Sequence, residues 1–315
     1  SDSNSPVNMS SLRGRPATRG EARRRGAPGK GIMQEVPAFV PLAGGFGAEC
    51  AGFDLARPLV DAARSAILAG FLRHRLVVFR GQSLDAGQMR DFAANFGEVE
   101  GNIFRKPDGS TLEDVHVISN LGANGLPDED SYIKSNYNWH TDKSYLPVPA
   151  LMTLLQAIEL PPSGGDTEFA DMTRAYEALP AETRRRIGGL RTVHSFEYMR
   201  ASTNDRPLTP AERAATPPVV HPLVRTHPET GEKSLYLGMY CSHVDGMDEA
   251  EGRALVRDLQ AHATSAPFVH AHAWKPGDLV FWDNRCLLHR ATRGYDATRH
   301  RRVLQRAVVK GTAPR

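Results

Sequence analysis

The sequence predicts a mainly β fold, a β-barrel or jelly roll with a few helices on its outside. Many short apolar runs are separated by Gly and Pro, which is typical of antiparallel β proteins. The chain also lacks a glycine-rich phosphate loop and the regular alternation of strands and helices that indicates a βαβ sheet. Its 315 residues, 40% of them hydrophobic, are sufficient for a large core.

The basic charge of the chain is concentrated at its N-terminus. Residues 1–33 hold seven of the 39 Lys and Arg residues and two of the 36 acidic residues, so the remainder has 32 basic and 34 acidic residues. The segment is rich in Ser, Gly, Pro and Arg, and we expect it to be disordered. It lacks the apolar core of a secretory signal. We expect residues 34–315 to form a single domain.

Cysteine usage and hydropathy indicate a cytoplasmic protein. The three cysteines lie far apart and form no CxxC pair, which predicts reduced thiols. No run approaches the roughly 18 to 20 apolar residues of a membrane span. We therefore expect no membrane partner, and the nearly neutral body of the chain argues against a nucleic-acid partner.

The first half of the chain predicts the following elements. A hairpin lies within residues 38–55, and a helix over 59–75 runs into the buried strand "LVVFRG". The next helix, in "SLDAGQMRDFAANFGEV", has Ser83 as its N-cap and Gly97 as its stop. Residues 101–136 are polar and aperiodic, which predicts a mobile functional loop.

The second half alternates predicted strands with turns and short helices. "ALMTLLQAIEL" predicts a strand, and "TRAYEALPAETRRRIGGL" predicts two short helices. Two strands surround a His-Pro-Glu-Thr-Gly turn, and "MDEAEGRALVRDLQAHAT" predicts an amphipathic helix. "FVHAHAWKPGDLVFWDNRCLLHRA" and "RRVLQRAVVKG" close the chain as strands.

Three residues suggest a metal site. "WHTD" places His140 and Asp142 two positions apart, on one face if the segment is a strand. His289 follows a Trp-Asp-Asn turn and is the candidate third ligand. Two histidines and one carboxylate leave three positions of an octahedral iron open for a 2-oxo acid and O₂, whereas zinc more often has three or four N or S ligands. The pattern favours a non-haem Fe(II) oxygenase.

A 2-oxo acid with a second carboxylate also needs a cation, ideally an arginine. "RRVLQR" supplies Arg302 and Arg306, four positions apart and therefore on one face of a strand. "GGDT" supplies Thr167, whose hydroxyl could join the same carboxylate site. We take these three residues as the candidates for cofactor binding.

The same motifs, with "AYEAL" and "VRTHPETG", resemble the taurine dioxygenase/TfdA family of Fe(II)- and 2-oxoglutarate-dependent oxygenases, from about residue 38 to 311. "HAHAWKPGDLVFWDNRCLLHRA" and "FADM" are particularly similar to the aryloxyalkanoate branch. The resemblance implies a double-stranded β-helix (a cupin-like jelly roll) and a homo-oligomer, a dimer or tetramer. It also implies hydroxylation of a C–H bond coupled to formation of succinate and CO₂.

The resemblance assigns roles to individual residues. His140, Asp142 and His289 would bind iron, and a carboxylate at Asp142 favours hydroxylation over halogenation. Thr167 and Arg302 would hold the distal carboxylate of 2-oxoglutarate. The spacing from the second histidine is two residues longer than usual in the family, and the register of "RRVLQRA" selects Arg302 over the alternatives, Arg299 and Arg301. Arg306 matches an arginine that reaches the substrate's anionic group in taurine-type enzymes.

Departures from the family pattern concern the substrate. Asn102 and Arg105 stand where taurine enzymes have a histidine and a tyrosine, which argues against taurine itself. Asn136 is retained, and Arg200 replaces a pocket aromatic. We hypothesise that Arg105, Arg200 and Arg306 favour a small anionic substrate, a sulfonate, aryloxyalkanoate or amino-acid-like compound. The further candidate for substrate binding is Lys143, next to Asp142.

Three alternatives remain open from the sequence. The same oxygenase chemistry could serve desaturation or cyclisation in a biosynthetic pathway. A non-redox metal-binding hydrolase or cupin-like protein would keep the two histidines and the aspartate but would have no need for Thr167 and Arg302. A nucleic-acid-binding protein would use the Arg-rich residues 1–33.

Overall fold

The computed structural model describes residues 36–101 and 114–315, which belong to one compact unit. The predicted tail at residues 1–33 and two substrate candidates, Asn102 and Arg105, lie outside the described residues. No helix in the described ranges is long and apolar enough to cross a membrane.

Short strands outnumber helices in the described part of the chain. In chain order, the strands are β1 Val40–Pro41, β2 Ala48–Cys50, β3 Leu76–Phe79, β4 Val115–Ser119, β5 Ala150–Glu159, β6 Thr167–Asp171, β7 Arg191–His194, β8 Val219–Pro222, β9 Val224–Thr226, β10 Lys233–Leu235, β11 Cys241–Val244, β12 Val269–His272, β13 Leu279–Asp283, β14 Leu287–Ala291 and β15 Val303–Lys310. The helices are α1 Asp61–His74, α2 Ala86–Ala94, α3 Met172–Glu177, α4 Ala181–Ile187, α5 Phe196–Ser202, α6 Pro210–Ala215 and α7 Glu249–Ala263.

A seven-stranded sheet, in the order β1-β2-β3-β13-β5-β15-β4, forms the largest layer. Its central strands are buried on both faces because side chains alternate between two cores. Val77 and Phe79 of β3 pack in the core that includes residues of α1 and α2. Leu76 and Val78 pack on the opposite face, against the second sheet. This double burial explains why β3 and its neighbours read as continuous apolar runs.

A smaller sheet, in the order β12-β6-β14, packs against the inner face of the large sheet. Phe169 of β6 meets Trp282 of β13, with ring centroids 5.3 Å apart. Two layers of mainly antiparallel strands around one core form the jelly roll that the sequence predicted, and the prediction of the fold class is confirmed. Strands β6 and β14 of this smaller sheet supply Thr167 and His289 to the candidate active site.

Helix α7 and a third sheet, in the order β11-β7-β8, extend the molecule beyond the smaller sheet. Helix α5 follows β7 and adds Phe196 and Met199 to a separate buried cluster with Tyr145 and Tyr240. The sequence did not predict α5, α6, β7 or β11. These elements have four to seven residues each, which is too short for a clear period.

Part of the predicted loop at 101–136 is regular structure. Strand β4 (Val115–Ser119) pairs with β15 at the edge of the large sheet, and two 3₁₀ turns follow at Glu129–Ser131 and Lys134–Tyr137. An aperiodic loop is therefore wrong for these residues. The strand was missed because it spans five residues and carries His116 among its apolar residues.

Helix α2 begins and ends elsewhere than predicted. Its N-cap is Asp85, whose carboxylate accepts a hydrogen bond from the Gln88 N–H at 2.8 Å, while the Gln88 side chain accepts one from the Asp85 N–H at 2.9 Å. A reciprocal capping box requires Glu or Gln three residues after the cap, which Ser83 lacks and Asp85 has. The helix ends at Ala94, before Gly97.

Candidate active site

Two histidines from distant parts of the chain are joined through their backbones. The His140 N–H donates to the His289 carbonyl at 3.0 Å, and the His289 N–H donates to the His140 carbonyl at 2.8 Å. His140 forms this isolated bridge and belongs to no longer strand, and Asp142 lies in the turn that follows. The condition under which the sequence placed both side chains on one face, a strand through His140 and Asp142, is therefore not met, yet the turn brings Asp142 to the same point. Ligand atoms of the three side chains lie within 4.8 Å of one another.

The three side chains converge through specific atoms. Nε2 of His289 lies 3.7 Å from Oδ2 of Asp142, and Nε2 of His140 lies 4.0 Å from Oδ1. Nδ1 of His140 lies 2.7 Å from the Asn138 carbonyl, to which it donates in the neutral tautomer. This bond leaves the Nε2 lone pair of His140 directed to the cluster, as in histidines that bind metals.

The electrostatics of the cluster suit a divalent metal ion. Burial lowers the pKa of both His140 and His289, which keeps the imidazoles neutral. Burial alone would raise the pKa of Asp142, but the Arg306 guanidinium and a hydrogen bond from Thr153 lower it below its usual range. Two neutral imidazoles and one ionised carboxylate form the donor set that suits Fe(II) with open coordination positions.

Two residues that sequence reasoning missed hold Asp142 in place. Thr153 Oγ1 donates to Asp142 Oδ2 at 2.5 Å and accepts from Asn284 Nδ2 at 2.9 Å. Asn284 Oδ1 accepts from the Asp142 N–H at 3.2 Å. A signal for Thr153 was available, because it is the one hydroxyl within the apolar run "ALMTLLQ" of a mostly buried strand.

A small cavity of about 50 Å³ lies on one side of the cluster, and Thr167 and Arg302 line it. Arg302 is 2% exposed, and its Nε donates to the Gly165 carbonyl at 2.9 Å. Thr167 Oγ1 accepts a bond from Trp274 Nε1 at 3.0 Å, which leaves the Thr167 hydroxyl proton to donate elsewhere. A buried guanidinium beside a free hydroxyl proton fits a carboxylate.

The structure also separates Arg302 from the other two candidate arginines. Arg301 pairs with Glu159 at 2.6 Å, its side chain 44% exposed, and Arg299 is exposed. Arg302 stands just before β15, which begins at Val303, two residues later than the predicted strand, which began at Arg301. Its backbone N–H donates to Asn120 Oδ1 at 2.7 Å, which fixes this end of the strand.

A larger cavity of about 520 Å³ also reaches the cluster. It shares His140, Asp142 and Arg306 with the small cavity, so two of the three candidate ligands line both spaces, whereas His289 lines only the small one. Its wall combines aromatic, thioether and charged side chains, among them Asn136, Lys143, Tyr145, Phe196, Met199, Arg200, Asp205 and Tyr240.

The predicted substrate residues occupy different positions in this cavity. Asn136 and Arg306 line both cavities, and Nη2 of Arg306 lies 2.5 Å from Asp142 Oδ1. Lys143 lies in the wall, but its Nζ is 2.9 Å from Glu100. Arg200 forms an ion pair with Asp205, and its Cζ lies 5.2 Å from the centroid of the neighbouring Phe196 ring. The charges of Lys143 and Arg200 are thus already compensated.

A jelly roll with two histidines and one carboxylate beside a buried arginine–threonine pair defines a mononuclear non-haem oxygenase. Residues 38–308 match the family model "Taurine catabolism dioxygenase TauD, TfdA family", and the chain belongs to this family. It is similar to the alpha-ketoglutarate-dependent 2,4-dichlorophenoxyacetate dioxygenase of Burkholderia sp. (strain RASC), with 43% identity over 75% of this chain and 82% of that protein.

Further comparisons agree with this assignment. The (S)-phenoxypropionate/alpha-ketoglutarate-dioxygenase of Delftia acidovorans is 38% identical over 82% of this chain and 90% of its own length. The crystal structure of AAD-2 in complex with Mn(II) and N-oxalylglycine superposes with a TM-score of 0.79 at 38% identity, covering 89% of this chain and 98% of that chain. The chain is thus a 2-oxoglutarate-dependent dioxygenase of small organic molecules, and its His-Asp-His cluster fits Fe(II).

Proposed function

We propose that the substrate is an aryloxyalkanoate and that the enzyme hydroxylates the carbon between its carboxylate and its ether oxygen. Two relatives are named for such compounds, 2,4-dichlorophenoxyacetate and phenoxypropionate. The proposal also assigns His140, Asp142 and His289 to the iron, and Thr167 with Arg302 to the distal carboxylate of 2-oxoglutarate.

The position of Arg306 is the observation that carries the proposal. Its guanidinium lies against Asp142 and lines both cavities. An anion that pairs with Arg306 therefore has its neighbouring carbon close to the ligand cluster. That carbon is the one joined to the ether oxygen in an aryloxyalkanoate.

The wall of the larger cavity suits an aromatic ring. Tyr145, Phe196 and Tyr240 pack together, with the Tyr145 ring centroid 4.7 Å from that of Phe196 and 4.8 Å from that of Tyr240. Met199 belongs to the same cluster. Flat aromatic and thioether surfaces bind an aryl group through apolar contact and ring packing.

The chain's own residues orient the reaction. Bound Fe(II), with 2-oxoglutarate and O₂, supplies oxidation of a C–H bond coupled to release of succinate and CO₂. Arg306 holds the substrate carboxylate, and Arg302 with Thr167 holds the co-substrate. Thr153 holds the Asp142 carboxylate in one orientation, and Asn284 holds the Asp142 N–H. The protein thereby fixes which carbon is oxidised.

The products follow from the chemistry of the hydroxylated carbon. One oxygen atom of O₂ enters the C–H bond and the other enters succinate. The new hydroxyl shares its carbon with the aryl ether oxygen, so the carbon–ether bond breaks as the hydroxyl becomes a carbonyl. The hydroxyl proton passes to the aryl oxide. Phenoxyacetate would therefore give phenol and glyoxylate.

The test measures phenol, succinate and O₂ consumption with phenoxyacetate, 2-phenoxypropionate and an alkyl sulfate as substrates. We expect phenol and succinate in equal amounts from an aryloxyalkanoate. Arg306→Ala should lower kcat/KM by roughly 100-fold or more, because a charge-assisted bond is lost. Arg301→Ala is the matched control and should retain activity. Turnover of the alkyl sulfate alone would replace this substrate class with that of the relative named alpha-ketoglutarate-dependent sulfate ester dioxygenase, from Pseudomonas putida, which is 32% identical.

A binding experiment tests the metal and co-substrate roles separately. Fe(II) and 2-oxoglutarate are added to the protein without O₂, and the weak visible absorption of an iron-chelated 2-oxo acid is followed. We expect a band that saturates with 2-oxoglutarate and is absent from His140→Ala. Absence of the band in folded, iron-loaded wild-type protein would contradict the assignment of Thr167 and Arg302.

We further infer a cytoplasmic homo-oligomer that acts without a membrane or nucleic-acid partner. Cys50, Cys241 and Cys286 are buried free thiols, which supports a reducing compartment. The dimer or tetramer follows from the family resemblance, and light scattering of the purified protein measures it directly.

A further inference from the structure

Arg306 alone provides too few donors for a buried anion. A carboxylate offers about four acceptor positions, and an anion taken out of water needs several of them filled. Arg306 already shares its guanidinium with Asp142. Lys143 is bound to Glu100 and Arg200 to Asp205, so neither ammonium nor guanidinium is unpaired. Further donors are needed from the cavity wall.

Two tyrosine hydroxyls of the cavity wall are available. The side chains of Tyr145 and Tyr240 line the larger cavity, and the residues are 6% and 9% exposed. Within residues 36–101 and 114–315, neither hydroxyl has a hydrogen-bond partner. Burial raises the pKa of both phenols, more than the nearby Arg306 lowers it, so both remain protonated donors.

The backbone that carries the candidate metal ligands also positions both tyrosines. Tyr145 lies three residues after Asp142, in the turn that follows it. Tyr240 lies two residues after Gly238, and a Cβ on Gly238 would lie 3.3 Å from the Cα of His140. The N–H of the intervening Met239 donates to the Trp139 carbonyl at 2.9 Å. The two phenols are thus held in a fixed relation to Asp142 and to the arginine that pairs with it.

We propose that Tyr145 and Tyr240 are specificity-determining residues that complete the anion site of Arg306, each donating a hydrogen bond to an oxygen of the substrate's carboxylate. This inference rests on the proposed function, because it names the partners of the same substrate anion. The aromatic rings provide apolar contact for the substrate body, and the hydroxyls distinguish a carboxylate from a neutral group of the same shape.

The experiment compares Tyr145→Phe, Tyr240→Phe and the double variant with the wild type. KM and kcat are measured for phenoxyacetate, and dissociation constants are measured by calorimetry without O₂ for phenoxyacetate and for its neutral methyl ester. Each lost hydroxyl should weaken binding of the acid by about tenfold or more. Binding of the ester should change by less than about threefold, because the rings and their apolar contacts remain.

Tyr198→Phe is the matched control. Tyr198 lies on the same helix as Phe196 but lines a different cavity, where Arg253 packs over its ring. This variant should bind acid and ester as the wild type does. Thermal unfolding of every variant shows whether the fold is intact.

The outcomes separate the inference from the proposed function. Equal weakening of acid and ester, or no change in either, would overturn the role of the hydroxyls. Phenoxyacetate that binds without turnover would contradict the proposed reaction and leave the acid-to-ester ratio as the test of the hydroxyls. If phenoxyacetate does not bind, the same ratio is measured with an alkyl sulfate and its parent alcohol, and an unchanged ratio in the double variant overturns the inference.

Discussion

Asp142 is bound from several directions, by Arg306 and Thr153 through its carboxylate and by Asn284 through its N–H. A carboxylate held this firmly keeps its oxygens in one orientation, which increases the affinity of a metal site. The two oxygens also have different neighbours, because Oδ1 faces Arg306 and Oδ2 faces Thr153 and His289.

Thr153→Val tests this support, because valine keeps the shape of the side chain and removes the bond to Asp142. We expect Fe(II) affinity to fall by roughly 10- to 100-fold. Metal titration with a competing chelator measures the change. Thr192→Val replaces another fully buried threonine, one whose hydroxyl bonds His194. Equal loss of metal affinity in both variants would show a general packing effect.

Gly165 controls the position of the Arg302 side chain. It has a φ of +71°, and a Cβ there would lie 3.0 Å from the Arg302 Nε. Gly165→Ala should raise the KM for 2-oxoglutarate by about tenfold, because the guanidinium must move from its carboxylate position. Gly231→Ala is the control, with a φ of +75° and open space around its Cβ. Both changes should cost about 1 kcal/mol of stability, and an unchanged KM in Gly165→Ala would contradict the assignment of Arg302.

Two residues, Asp85 and Ser83, are possible N-caps of helix α2, and substitutions distinguish them. Asp85→Ala removes the capping box and should lower the free energy of unfolding by about 1 kcal/mol. Ser83→Ala should change it by less than about 0.5 kcal/mol, because Ser83 is exposed and outside the helix. Urea unfolding measures both. A larger effect at Ser83 would favour the cap predicted from the sequence.

The elements also show what the sequence could predict. Strands β3, β5 and β13 were predictable because burial on both faces produces long apolar runs. Strand β4 was missed because an edge strand is short and half exposed. The same limit applies to short connecting elements, whose conformation depends on packing against distant residues.

Some residues of the candidate site were predicted from the sequence and others were missed. His140, Asp142 and His289 were suggested by their residue types, and the resemblance placed Thr167 and Arg302. Thr153 and Tyr240 were missed because their roles depend on contacts with residues far away in the sequence. The apolar run of β5 marks the Thr153 hydroxyl as unusual, but only the structure shows that its partner is Asp142.

Buried histidines predict how the free energy of unfolding of the whole protein depends on pH. Burial lowers the pKa of His194 and His221, and it lowers that of His116 to about 4. The unfolded chain binds protons at these residues below about pH 6.5, whereas the folded chain does not. The free energy of unfolding should therefore be highest above about pH 7 and should fall as the pH drops through 6.5.

Urea unfolding between pH 5 and 8 measures this dependence. His194→Gln should destabilise the protein at pH 8, because His194 hydrogen bonds Ser144 and Thr192. The same change should flatten the loss between pH 6.5 and 5 by up to one proton per molecule. A variant with an unchanged slope would show that His194 is not a neutral base in the folded protein.

The backbone bridge between His140 and His289 has a consequence for how the protein acquires its metal. Reciprocal backbone hydrogen bonds hold the two histidines side by side without any contribution from their imidazoles. A preformed site of this kind does not select its ion by folding around it, and nitrogen and oxygen donors bind Co²⁺, Ni²⁺, Cu²⁺ and Zn²⁺ more tightly than Fe²⁺. The fraction of the enzyme that is active therefore depends on which metal ions its surroundings supply. Traces of copper or zinc would occupy the site in place of Fe(II) and inactivate the enzyme.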